Sequence, residues 1–179
     1  MFDLDHFVAD CAAARADADP RRAVKEVLVR ALRQPREVER ALPAQRAEIA
    51  RIHASPELTI LKVVWAPGMD IYPHDHRMWA AIGIYGGRED NTFYRRSADG
   101  LVVSGGKQLA ERDAVLLGDD TIHSVRNPEA TFTGAIHVYG GDFFSQPRSE
   151  WDPVTSVEAP YDVERMLASF EAANAPNVA

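Results

Sequence analysis

One cysteine, Cys11, is all the chain contains, so no internal disulfide forms and the fold must hold without covalent staples. A lone thiol suits a reducing compartment, and the cytoplasm is the expected location. The opening residues MFDLDHFVAD carry acids where a secretory leader needs a basic stretch and then about 7–15 apolar residues, so export is not expected. Long hydrophobic runs are missing as well. Even LTILKVVWAPGM is broken by Lys62 and Pro67, short of the roughly 18–20 apolar residues of a spanning helix, and no membrane partner is expected. Positive charge is in deficit: 20 Lys and Arg against 27 Asp and Glu leave a formal charge of −7. Such a surface repels phosphate backbones, and no basic stripe interleaved with aromatics offsets it, so nucleic acid is not an expected partner.

What is present is an ordinary globular balance, 46% apolar and 26% charged residues in a chain of 179. At this length one domain, residues 1–179, buries about two thirds of its unfolded surface. Residues 1–54 read as a helical N-terminal layer. From Asp19 to Leu32 the residues Ala23, Val24, Val27, Leu28, Ala31 and Leu32 recur on one helical face, with Asp19 placed to cap and Pro20 in the first turn. Pro35 and Pro43 each restart a short helical pattern, the second carrying Ile49 and Ile52. His53 ends that helix, and His6 lies in a mobile terminus.

The period changes after Ser55-Pro56. Eight short β-rich runs follow at 58–65, 70–76, 79–86, 91–96, 101–109, 113–117, 121–127 and 131–139. Turn residues such as Pro67-Gly68, Gly86-Gly87, Asp99-Gly100 and Asn127-Pro128 punctuate them. Strands at this spacing, without helices between them, predict an antiparallel sandwich or barrel over 55–145. In the C-terminal segment, 146–179, Val163, Met166, Leu167 and Phe170 predict one helix over 161–172 packed on the outside, followed by a frayed tail, NAPNVA. Trp65 and Trp79 read as core or rim aromatics, and Glu89 and Asn91 as hairpin residues.

Three of the six histidines form a pattern. In Pro73-His74-Asp75-His76 the one-residue separation points both imidazoles to the same face of an extended strand, where they can share an ion. A third ligand must come from another strand facing the same lumen, and His123 in DDTIHSVRN supplies it. An isolated His-x-His pair is also what surface loops contain, so the pair alone leaves both readings open.

The flanking residues resemble the two cupin motifs. Five residues separate Gly68 from His74, His76 follows, and Gly87 closes the first segment; His123 and Asn127 have the spacing of the second. The resemblance implies a mainly β, RmlC-like double-stranded β-helix, or jelly roll, with N-terminal helices and one C-terminal helix. Two departures stand out. Ala80 and Ala81 occupy the place of the usual glutamate ligand, and Gly118 and Asp120 stand where a proline and glycine are expected before the third histidine. A site of three neutral imidazoles leaves a dication's charge unneutralised and open to an anionic donor. Ferrous iron is the expected metal, and imidazoles alone leave zinc, nickel or manganese open.

Over residues 51–145 the chain further resembles the cysteine dioxygenase branch of the cupins, the thiol dioxygenases, through TILKVVWAPGMDIYPHDH, WAAIGIYGGREDNTFYRR, HSVRN and AIHVYGG. The resemblance implies that His74, His76 and His123 hold ferrous iron. It also implies that His137 and Tyr139 are what remains of a Ser-x-His-x-Tyr hydrogen-bond chain aimed at the metal. Ala135 replaces the serine, which should loosen the orientation of His137. The alternatives for these two residues are a buried histidine satisfied by carbonyls at His137 and barrel filling at Tyr139. Ala81 aligns with the cysteine that some members bond to the tyrosine, so that crosslink cannot form. Arg51 aligns with the arginine that pairs the substrate carboxylate; Arg77 is the other basic residue near the metal, and its side chain should point away. The expected function is dioxygenation of a small thiol such as cysteine or 3-mercaptopropionate to its sulfinic acid, with the thiol and dioxygen as partners and a monomer or homodimer as the assembly. The alternatives are a three-histidine cupin acting as a dioxygenase or isomerase on a non-thiol molecule, and a non-catalytic ligand-binding cupin.

Overall fold

The computed structural model describes residues 1–98 and 100–175. Asp99 of the expected turn and residues 176–179 of the expected frayed tail lie outside them. Three helices come first: α1 (Leu4–Ala14), α2 (Pro20–Ala31) and α3 (Pro35–Ala41). Asp19 caps α2 by accepting from the Arg22 amide, and Pro20 fills a position whose N–H has no helical partner. Asp3 caps α1 in the same way by accepting from the His6 amide, so His6 sits in a helical turn rather than in a mobile terminus.

The helical layer ends at Ala41. The run through Ile49 and Ile52 is strand β1 (Glu48–Ser55), paired antiparallel with β2 (Leu58–Trp65), and His53 lies within it. A spacing of three suits a helix face, which is why periodicity misassigns this stretch. In β1 a bulge between Arg51 and His53 breaks the alternation, and Ile49 packs on the barrel core while Ile52 packs under the helices.

The chain continues through β3 (Asp70–Asp75), β4 (Ala80–Gly86), β5 (Arg88–Ser97), β6 (Gly100–Ala110), β7 (Ala114–Leu117), β8 (Ile122–Arg126) and β9 (Thr133–Tyr139), close to the runs expected from sequence. Two short strands, β10 (Ser149–Trp151) and β11 (Glu158–Pro160), carry no alternation long enough to be read. They precede α4 (Val163–Ala172). One sheet is ordered β1-β2-β9-β4-β7 and the other β11-β10-β3-β8-β5-β6. Without the additions β1, β10 and β11, each sheet has four antiparallel strands in jelly-roll order, the expected mainly β architecture.

The first sheet is covered on both faces. Leu61, Val63, Ala80, Ile82 and Ala135 turn into the barrel, while Leu58, Ile60, Ala81, Ile136 and Val138 turn outward against Leu28, Leu32 and Val24 of the helices. This double burial explains the near-continuous apolar runs LTILKVVW and AAIGIYG. The last helix does not pack on the outside. Met166 and Phe170 of α4 are buried in the barrel core, and Leu167, which periodicity puts on the packed face, is 44% exposed. Among the described residues no helix is long and apolar enough to cross a membrane.

Candidate metal centre

β3 and β8 pair with His74 directly opposite His123. A register shift between Ile71 and His74 inserts one extra residue at Tyr72-Pro73, where proline in any case lacks the N–H a ladder bond needs. The bulge resets the alternation, so that Ile71 above it and His74 and His76 below it all line the lumen. Arg77 adopts a left-handed backbone (φ 54°) directly after, and its side chain pairs with Asp75 on the opposite side, away from the ligands as expected.

The three rings converge: centroids of His74 and His123 are 4.7 Å apart, and His76 lies 5.0 Å from each. One nitrogen from each ring falls within 4.8 Å of the others, a cluster that can hold a single ion. Ring orientation agrees with ligation. His74 Nδ1 lies 3.0 Å from the Tyr72 carbonyl and His123 Nδ1 lies 2.7 Å from Asn91 Oδ1, which places a proton on each Nδ1 and leaves each Nε2 lone pair free. His123 Nε2 is buried with no hydrogen-bond partner, an orphaned acceptor that a metal ion would satisfy. Burial pushes His74 down to about 4 and holds His76 and His123 well below the usual histidine range, so all three are neutral near pH 7, the state that ligates. Among the described residues no carboxylate joins the cluster.

A layer of polar side chains stands behind the imidazoles. On β9, His137 and Tyr139 share the lumen face, with the Tyr139 hydroxyl 3.0 Å from His137 Nδ1 and its ring 5.0 Å edge-on from His76. Burial raises the Tyr139 phenol well above its ordinary range, so it remains protonated. Glu89 and Asn91 are not hairpin residues. Both are buried on β5 and face inward, Asn91 holding His123 and donating through Nδ2 to Glu89 Oε1 at 2.9 Å. Trp65 Nε1 donates to Glu89 Oε2 at 2.9 Å. The alternation of Glu89, Asn91 and Phe93 against Arg88, Asp90 and Thr92 is the signal that could have found them.

Arg51 does not reach the histidines. It is exposed on β1 with its guanidinium 4.4 Å from the Phe144 ring. The arginine beside the cluster is Arg148, in the loop before β10, a position with no periodic signal. Only 8% exposed, its guanidinium is sandwiched between Phe143 at 4.1 Å and Tyr161 at 4.2 Å, and it donates through Nη1 to the Phe143 carbonyl. Its Nε and Nη2 are buried without acceptors. Its charge is felt at His74, His76 and Tyr139. The cavity bounded by the three histidines, His137 and Tyr139 is about 30 Å³, walled by apolar side chains that include Leu61, Val63, Phe143 and Met166, and Arg148 lies behind its Phe143 and Tyr161 walls. Register places Ala80, not Ala81, opposite Tyr139, and Ala81 faces the helices. Asn127 serves the scaffold: its Nδ2 donates to the carbonyls of Trp65, Ala66 and Thr131. Gly87 is required by its backbone (φ 78°) and by Thr133, which a Cβ would meet at 2.4 Å.

No family model matches the chain. Among solved structures, the Bacillus halodurans protein BH2720 is similar over 58% of this chain and 77% of its own, at 19% identity and a TM-score of 0.51. An RmlC-like cupin family protein with a double-stranded β-helix fold from Methanocaldococcus jannaschii shares 12% identity over 57% of this chain and 86% of its own, with a TM-score of 0.48. A recombinant oxalate oxidase in complex with glycolate shares 15% over 48% and 42%, with a TM-score of 0.42. Likeness at this level conveys the fold alone. By the strand order of its two sheets the protein is a jelly-roll double-stranded β-helix, with three buried histidines able to hold a metal ion in its lumen.

Proposed function

We propose that the protein is an iron-dependent thiol dioxygenase that converts a small thiol carboxylate to its sulfinic acid, R–SH + O2 → R–SO2H. The reaction oxidises the sulfur, places both oxygen atoms on it and needs no external reductant. The observation that carries this reading is a ligand set of three neutral imidazoles without a carboxylate, beside a buried phenol and a buried guanidinium with two unpaired N–H groups. His74, His76 and His123 would hold ferrous iron, which would supply redox chemistry and, with no carboxylate to offset its charge, an affinity for an anionic sulfur donor.

The chain's own residues supply the rest. Arg148 replaces Arg51 as the proposed carboxylate partner, since its free Nε and Nη2 present the fork that a carboxylate accepts in bidentate fashion. Stacking between Phe143 and Tyr161 fixes that fork before substrate arrives. Tyr139 offers its hydroxyl beside His76, and the apolar walls exclude bulk water from the reacting sulfur. A cavity of about 30 Å³ holds little more than a water as it stands, so only a small substrate, admitted by movement of the cavity walls, fits the reading. Anaerobic loading with ferrous iron followed by oxygen uptake on 3-mercaptopropionate, cysteine and cysteamine tests the reading. Stoichiometric uptake with a sulfinate product is expected, fastest for the carboxylate-bearing thiols. Absence of uptake with every thiol at full iron loading would remove it.

A further inference from the structure

We propose that Glu89 is the positioning residue of the site, a single buried carboxylate that sets the proton positions of both His137 and the metal ligand His123 and so takes over the task of the hydroxyl missing at Ala135. Its role toward Tyr139 rests on the oxidation reading above; its hold on the two rings does not.

Glu89 is fully buried on β5, and its two oxygens are used differently. Oε1 accepts from Asn91 Nδ2 at 2.9 Å, and Asn91, its amide thereby fixed, turns Oδ1 to His123 Nδ1 at 2.7 Å. An amide whose nitrogen is committed to a carboxylate can offer only its oxygen to the ring, so His123 carries its proton on Nδ1 and points a bare Nε2 into the lumen. Oε2 accepts from Trp65 Nε1 at 2.9 Å and lies 3.6 Å from His137 Nε2. That nitrogen is buried and has no other partner, so Glu89 is the acceptor available to it. With its proton held on Nε2 toward Glu89, His137 turns the lone pair of Nδ1 to the Tyr139 hydroxyl 3.0 Å away, and the phenol proton is directed at the ring. The logic is that of a carboxylate orienting a histidine that in turn orients a hydroxyl.

Two further observations favour this assignment. The other buried acids near the lumen are already paired, Asp75 with Arg77 and Glu150 with Arg165, whereas Glu89 meets no arginine or lysine. Burial alone would raise the Glu89 carboxyl, yet contacts from His137, Asn91 and Trp65 hold it below the ordinary value, so the buried group is an anion.

Nitrogen-15 NMR of histidine-labelled, metal-free protein reads the ring protons directly. The expected pattern is His137 protonated on Nε2 and His123 protonated on Nδ1 with Nε2 bare. A bare Nε2 on His137, or a protonated Nε2 on His123, overturns the proposal in the unmodified protein, whatever the fate of any variant. In Glu89→Gln the amide must present its NH2 to one donor. His137 should then lose its single ring form, and the dissociation constant for Co(II) should rise about 10–100-fold, with His74 unchanged. An unaltered ring pattern and Co(II) affinity in Glu89→Gln would likewise refute it. Adding Ala135→Ser to Glu89→Gln should restore the His137 pattern without restoring Co(II) affinity, because serine replaces only one of the two arms. Failure of wild-type protein to oxidise thiols leaves these ring patterns standing, and a contrary ring pattern leaves thiol oxidation standing.

Discussion

The five-stranded sheet has two faces that differ in kind although the same strands build both. On β9, Ile136 and Val138 point outward into a mainly apolar layer with Leu28, Leu32 and Tyr85, while Ala135, His137 and Tyr139 point inward. The outer face is held by area and shape alone. The inner face contributes His137 and Tyr139 to a lumen in which the other sheet and the loop before β10 bury three more imidazoles, a carboxylate and a guanidinium, each of which costs stability unless partnered. Among the described residues His123 Nε2 and Nε and Nη2 of Arg148 have no hydrogen-bond partner, and His137 Nε2 has only the Glu89 carboxylate, 3.6 Å away. The outer layer buries one such atom, the Tyr85 hydroxyl, whereas the lumen sets a bare imidazole nitrogen beside two further imidazoles, an arrangement that suits a bound ion.

Substitutions on the two faces should therefore separate stability from chemistry. The largest loss of stability is expected from Ile136→Ala, which removes a fully buried side chain between sheet and helices and should cost about 2–5 kcal/mol. Chemical denaturation measures it, and oxygen uptake per folded molecule should be unchanged. Arg148→Gln should do the reverse. Its KM for 3-mercaptopropionate should rise roughly 10–100-fold, the worth of a charge-assisted hydrogen-bond pair. Uptake of cysteamine, which has no carboxylate, should move less than about threefold by the same reasoning. An equal loss on both thiols would assign Arg148 to packing instead.

When metal is absent, the acid flank of stability belongs to the lumen, whereas the helical layer adds to an alkaline flank that buried phenols such as Tyr139 share. His74 titrates at about 4 in the folded chain against about 6.5 unfolded, so the unfolded state binds more protons between those values and stability falls as pH drops from about 6.5 toward 4. Cys11, in the helical layer, has its thiol pushed up to about 12 chiefly by burial. There the folded state keeps a proton that the unfolded state releases, so stability is lost as pH rises above about 9. Thermal melts of metal-free protein across this range should show both flanks, and Cys11→Val should flatten only the alkaline one. The smallest effect belongs to Arg51→Ala. It removes an exposed stack on Phe144 worth about 0.5–1 kcal/mol and should leave KM for every thiol unaltered.

The barrel strands were legible because Gly, Pro and Asp mark their ends, and the ligand triad because strand geometry dictates the His-x-His spacing. The site's polar backing was partly legible. Glu89 and Asn91 alternate with their neighbours, but the nearby Gly86-Gly87 turn makes the stretch read as hairpin. Arg148 could not be found from periodicity, because a loop residue reaches the lumen through tertiary packing between Phe143 and Tyr161. Alignment instead favoured Arg51, whose strand the sequence disguises as a helix through the spacing of Ile49 and Ile52. The outward helix α4 failed for a related reason: Leu167 completes an apolar stripe on paper, whereas the barrel takes only Met166 and Phe170.

The most direct test of the account is iron X-ray absorption on ferrous-loaded protein, wild type against His123→Ala. The account predicts one ion per chain with three imidazole rings in its scattering, and at most two rings with sharply weakened retention once residue 123 is alanine. A spectrum that contains a protein carboxylate in place of an imidazole, or that is identical in the two proteins, would contradict it.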